Sequence, residues 1–452
     1  MVKSQKNKIV YEENINNIKG KALAVIFPET MQEIKSLIKT TEEDIIFRGN
    51  GTSFTGAVIP KNSFVVDFSK MNNILEINEA RKIVVVEPGV LLDELNEELE
   101  PYGLEFPIIP IFAGLETLGG MIAKNSAGNR EIKYSRMINW IDSLEVINGK
   151  GEQIKISKSD LSDFVGLEGT TGAIVKASLR LTTKKRRSLT ILKANTLQDV
   201  FMANRKLKLK QDISSIDMIN PFLSSILGLD KKYHLFVESE SEEGNFRAEN
   251  YEHFMKLKNS AYKRAASEGF IYMSNIKFLI DSLQDFLLYL EEKSIPYFSH
   301  MASGVVYPLF KLEQVNEVNE AMKFAKRIRG KIAYNFGIGL TKKDSLEPGE
   351  IHLIKRVKSR HDPHWKLNKD KLIDFKIMNK PDREIPREIL EPEKPEIREI
   401  LEIKEQTELM EEPKQEQISV KKQEPELSLE EKEKIKKIAA GFFAGGRNGD
   451  NN

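Results

Sequence analysis

Arg48-Gly49-Asn50-Gly51-Thr52-Ser53-Phe54-Thr55-Gly56 lies between two strand-like runs, DIIFR at 44–48 and SFVVDF at 63–68. Its glycines let successive backbone N–H groups converge on an anion with no Cβ in the way, and the hydroxyls of Thr52, Ser53 and Thr55 add donors, so the loop suits a pyrophosphate. The Rossmann fingerprint is not met, because the third glycine is displaced and the loop leads into a strand instead of a helix. Alone, a Gly-rich turn is more often only a turn. Three more glycine-centred loops follow, at Pro88-Gly89-Val90, at Gly119-Gly120 and from Gly166 to Gly172. Four in one region predict a backbone that approaches a long cofactor in several places.

Around these loops, β-branched runs at 22–27, 82–90 and 142–148 read as strands, and apolar periods after Pro28 and after Pro88-Gly89 read as helices. The first domain, 18–183, is therefore α+β. Asn148-Gly149-Lys150-Gly151 is expected to be a hairpin turn. Lys184-Lys185-Arg186-Arg187 marks a solvated junction, and residues 189–375 mix strands with amphipathic helices, such as 276–290, in a second domain. From 376 to 452 Glu, Lys, Gln and Pro dominate, so this charged tail is expected to be mostly disordered, with one short helix at 428–440 after the Ser428-Glu431 capping box.

The chain has 452 residues, enough for more than one core. Its 69 basic against 68 acidic side chains give no global field for nucleic acid. Cysteine is absent, which removes disulfides, thiolate chemistry and any cysteine-held cluster on these residues. No run approaches the length of a transmembrane segment and no signal-peptide core is present, so a cytoplasmic location is expected.

The segments RGNGTSFTG (48–56), VDFSKMNNILEIN (66–78), VVVEPGVLLDELNEELEPYGLEFP (84–107), LGGMIAKNSAG (118–128), IKYS (132–135) and GLEGTTGAIVKASLRL (166–181) stand in an order and spacing that resemble the FAD-linked oxidases and dehydrogenases of the PCMH or vanillyl-alcohol-oxidase type. The branch around the glycolate oxidase FAD subunit and D-lactate dehydrogenase is the most similar. The resemblance implies a PCMH-type FAD-binding domain followed by a cap domain. It places Arg48, Gly49, Asn50, Gly51, Thr52 and Ser53 at the FAD pyrophosphate, and Pro110, Thr117, Gly119 and Gly120 at the flavin and ribityl chain. Ser126, Gly128 and Tyr134 would share that wall, and Gly169, Thr170, Gly172 and Ile174 would hold the adenosine side. Ser135 replaces the family's glycine. Thr52 stands where some relatives carry a flavin-linking histidine, so noncovalent FAD is expected.

In the same branch the cap carries a His-Ala-Gly-Asp-Gly-Asn-x-His-Pro run and a later Glu-His-Gly-x-Gly, which together can bind a divalent metal. Here the first reads His300-Met301-Ala302-Ser303-Gly304-Val305-Val306-Tyr307-Pro308 and the second Asn335-Phe336-Gly337-Ile338-Gly339. One histidine remains, without its carboxylate, so no metal centre is expected. His300, and secondarily Tyr307, are the candidate catalytic residues, with a buried structural imidazole as the alternative for His300. His361 and His364, flanking Asp362-Pro363, read as surface residues. The implied function is oxidation of a small 2-hydroxyacid by hydride transfer to FAD, with electrons passed to oxygen, a quinone, or a separate iron–sulfur or other acceptor protein. The alternative is a noncatalytic FAD-binding subunit of a larger complex.

Overall fold

The computed structural model describes residues 2–4 and 8–378, apart from 17, 242–243, 333 and 335. The tail expected to be disordered, with its short helix at 428–440, lies outside the described residues. The first domain is built on two main sheets, with Leu104–Glu105 and Thr182–Thr183 forming a further two-stranded one. In one, strands Lys21–Phe27 and Ile45–Arg48 flank Lys61–Asp67, both pairings parallel. The other is antiparallel, ordered Ile74–Asn78, Ile83–Val86, Gly172–Arg180, Ile141–Asn148, Gln153–Ile156. Helix Met31–Thr40 starts where Thr30 accepts a hydrogen bond from the Glu33 amide, and it buries Ile34, Leu37 and Ile38. Helix Leu92–Leu99 buries Leu92, Leu95 and Leu99, the positions that the apolar spacing marks. In the 148–151 hairpin the positive φ falls on Gly151 and not on the Asn-Gly pair, while the Gly149 amide donates to the His361 carbonyl at 2.8 Å.

The second domain is built on an antiparallel sheet ordered Ser188–Ala194, Tyr233–Ser239, Ile213–Ile219, Tyr297–His300, Val305–Phe310, Ile276–Lys277, Lys331–Ile332. Residues 276–290 are not one helix, as the periodicity suggested. Ile276 and Lys277 pair with Val306 and Val305, and the helix runs Ile280–Glu292, burying Leu283, Phe286, Leu287 and Leu290 against the sheet. The short strand won because it closes a ladder between two neighbours, which a local apolar period cannot reveal.

Buried ion pairs are among the contacts that join the halves. Arg130 of the first domain makes a bidentate pair with Glu238 of the sheet, at 2.7 and 2.8 Å, and Ser214 adds a third hydrogen bond to that carboxylate at 2.7 Å. The basic junction is not merely solvated: Arg187 is largely buried on Glu105, beside Glu240. The chain after the last sheet strand then returns to the first domain. Helix Pro348–His361 ends at Asp362, whose side chain accepts from Lys358 at 2.6 Å, and Leu367 bridges in parallel to Ile45. His361 is consequently no surface residue: its Nε2 lies 3.0 Å from Asp163 and its ring packs on Phe164, whereas His364 is exposed.

Ser135, in the position of the family's glycine, holds φ 60° and ψ −137°, a conformation natural to glycine and strained in serine. The departure therefore leaves the glycine-like backbone path in place and is borne as strain. Ser135→Gly should raise the unfolding free energy by about 1 kcal/mol in denaturant titrations. Glu238→Gln, which strands the Arg130 charge in the buried joint, should lower it by about 3–5 kcal/mol.

Candidate functional site

The glycine loops converge on one cleft in the first domain, with about 760 Å³ of empty space open to solvent. Arg48, Gly49, Asn50, Gly51, Thr52, Ser53, Thr117, Gly119, Gly120, Gly169, Gly172 and Ile174 all line it. The strand Ile45–Arg48 delivers the first loop, and Asn50 ties that loop to the next by donating to the Leu115 carbonyl at 3.1 Å. Thr117 caps helix Leu118–Lys124 by accepting from the Gly120 amide. A Cβ on Gly49 would stand 2.2 Å from the Thr117 hydroxyl, so glycine is required for the two loops to close together. Beneath the first loop the buried Arg48 guanidinium stacks 4.6 Å from the Tyr11 ring, and burial lowers its pKa. A cation there suits a phosphate-bearing ligand.

Asn368, far along the chain, completes the cleft. Its Oδ1 accepts from the Phe47 amide at 2.8 Å and its Nδ2 donates to the Glu168 carbonyl at 2.7 Å. Glu168 accepts from the amides of Ile338 and Gly339, which fastens the returning segment to the same loop. Ser126, Gly128, Tyr134 and Thr170 lie outside this lining. Gly128 abuts the Ile109 carbonyl, Thr170 donates to the Leu167 carbonyl, and the Tyr134 hydroxyl bonds Glu240 across the domain joint. The Ser126 hydroxyl is buried with no partner among the described residues.

The run 109–115, which contains Pro110, leads from this cleft to a second cavity of about 420 Å³ between the domains. His300 lines it. Its Nδ1 is 2.7 Å from Asp217, its partner across the strand pair, and its Nε2 is buried with no hydrogen-bond partner among the described residues. The expectation of an imidazole without a carboxylate is thus corrected: the acid comes from strand Ile213–Ile219. Lys258 pairs with the other oxygen of Asp217, and Asn129 approaches it at 3.4 Å. Burial alone would raise the Asp217 pKa, but the charges of Lys258 and His300 outweigh it and hold the carboxyl well below its usual range.

Tyr307 does not line the cavity. It is buried behind His300, edge to face at 5.1 Å, and it packs on Phe298 and Phe336. Tyr307 and Phe336, at the positions where the resemblance implies histidines, pack on each other at 5.7 Å; Asn335 lies outside the described residues. Asp217, Lys258, Asn129 and Arg130 were not identified from the sequence. The one signal available was an acid set between Ile216 and Met218 in a strand whose every residue is buried.

Both cavities fit FAD: a glycine-walled cleft with a buried arginine for the phosphates, and an adjoining chamber between the domains. Comparison with known proteins agrees. Residues 22–157 match the FAD binding domain family. The chain is similar to a D-2-hydroxyglutarate dehydrogenase of Stutzerimonas stutzeri, with 24% identity over 77% of this chain and 90% of the relative. It is similar to the glycolate oxidase subunit GlcD of Bacillus subtilis, 33% identical over 40% of this chain and 43% of that protein. A D-lactate dehydrogenase of Archaeoglobus fulgidus is 34% identical over 35% of this chain and 38% of its own length. The chain thus aligns with less than half of each of the last two. Gly49→Ala, which crowds Thr117, should weaken FAD binding by tenfold or more when the apoprotein is titrated by flavin fluorescence, with its circular dichroism unchanged. Fold, cleft and comparisons together identify an FAD binding domain at residues 22–157, with FAD as the cofactor, in a chain similar to FAD-linked oxidases and dehydrogenases.

Proposed function

We propose that the chain oxidises a 2-hydroxyacid, the class that includes D-lactate and glycolate, with noncovalently held FAD and with His300 as the general base. The observation that carries this reading is His300 on the wall of the interdomain cavity, with Nδ1 fixed on Asp217 and a buried Nε2 that has no partner among the described residues. A carboxylate on Nδ1 selects the tautomer with the proton on that nitrogen, leaving Nε2 as an acceptor, and stabilises the imidazolium once a proton arrives. Asp217, kept ionised by Lys258, can serve this way throughout the neutral range. The names of the relatives add that those proteins act on glycolate, D-lactate and D-2-hydroxyglutarate.

FAD, when bound, supplies the acceptor for the hydrogen on the carbinol carbon. The chain handles the rest: His300 Nε2 takes the hydroxyl proton as the carbonyl forms, and Tyr307, packed edge-on, keeps the ring upright. Lys258, whose ammonium has donors beyond the one on Asp217, offers the same wall a hydrogen bond for the substrate carboxylate. In place of a metal, this site offers the Asp217–His300 pair. Electrons then leave to an acceptor outside these residues, such as oxygen, a quinone or an iron–sulfur protein.

Flavin reduction under anaerobic stopped flow tests the reading. His300→Gln should slow reduction by a 2-hydroxyacid by about 10²–10⁴-fold, and Asp217→Asn should slow it as well, both with FAD still bound. A flavin that stays oxidised across a broad hydroxyacid panel points instead to a noncatalytic subunit.

A further inference from the structure

The chamber around His300 has two unlike ends, and the strand register sets them side by side. Asp217 pairs with His300 and, two residues along the same face, Ile219 pairs with Phe298. Lys258, Asn129 and Arg130 gather at the first pair, whereas Met255, Tyr262 and Phe112 join the second in lining the cavity. Tyr262 presents only its ring, since its hydroxyl donates to the Ile271 carbonyl at 2.7 Å, and that ring meets Phe112 edge-on at 5.6 Å.

The charges are balanced before any substrate enters. Among the described residues, the cations lining this cavity are Lys258 and Arg130; the first is paired with Asp217 and the second with Glu238. An ammonium has three donors, so Lys258 can hold one substrate carboxylate as well as Asp217. A second carboxylate would extend toward Ile219 and Phe298 or toward Asp93, where no cation meets it, and a buried unpaired charge is costly. An apolar group placed there gains from burial instead.

We propose that the substrate is a 2-hydroxyacid with a branched aliphatic or aromatic side chain, and that neither a dicarboxylate nor the smallest hydroxyacids are preferred. This rests on the 2-hydroxyacid reading above and narrows it. The carboxylate and hydroxyl occupy the Lys258–His300 end, and the side chain lies against Ile219, Phe298 and Tyr262.

The test compares anaerobic flavin reduction in the FAD-loaded full chain by phenyllactate, 2-hydroxyisocaproate, lactate, glycolate and 2-hydroxyglutarate. In parallel, the matching unreactive 2-oxoacids are titrated by calorimetry. Phenyllactate or 2-hydroxyisocaproate should exceed lactate by tenfold or more in the second-order rate constant, with 2-hydroxyglutarate slower than lactate. Lactate, glycolate or 2-hydroxyglutarate reducing the flavin as fast as the bulky acids would overturn the inference and leave the hydroxyacid reading intact. Bulky 2-oxoacids that bind tightly without any hydroxyacid reducing the flavin would uphold the pocket's preference and remove the proposed reaction. Failure of all five acids to react, with no oxoacid binding, overturns both.

Discussion

The joint between the domains depends on the buried Arg130–Glu238 pair. Taking two charges out of water is costly, and the mutual attraction repays it only when the geometry is good and the remaining hydrogen-bonding capacity is used. Here the pair is bidentate, and Ser214 and Tyr251 supply further donors to the carboxylate. Such a pair tolerates little sliding. It fixes Asn129 and Arg130 of the first domain against the strand that bears Asp217, and so determines that the run around Pro110 and the imidazole of His300 face one chamber.

Behind that chamber, Tyr307 and Phe336 stand at the positions where the resemblance implies histidines. Tyr307, Phe336, Phe298, Phe54, Phe112 and Tyr262 form a connected set of offset and edge-to-face contacts reaching from the first glycine loop to His300. Each such contact adds about 0.5–1.5 kcal/mol beyond simple burial. This apolar scaffold carries one acid–imidazole pair at its edge. The acid belongs to a neighbouring strand and not to the motif itself, which is why motif comparison alone made His300 look isolated.

The first domain was largely legible from its residues. Strands and helices there follow local period and capping, and the Gly49–Ser53 loop, Gly119-Gly120 and the Gly169–Gly172 turn all reach the cleft, because what a glycine permits is a local property. The cap was less legible. Asp217 and His300 are 83 residues apart and meet through strand register, which one apolar run cannot announce. Tyr134 is set by the domain joint: its hydroxyl is claimed by Glu240 of the other half. His361 looked like a loop residue because Asp163 and Phe164 approach it only after the chain doubles back. Where a side chain's surroundings are assembled from distant segments, spacing carries little information.

The returning segment also imposes an order on biosynthesis. Asn368 closes the wall of the cofactor cleft by bonding Phe47, 321 positions earlier, so the cleft cannot be finished while the ribosome is still building the cap. Until then the first strands emerge without a neighbour on that edge. The wall that Asn368 completes is therefore whole only once synthesis has passed position 368.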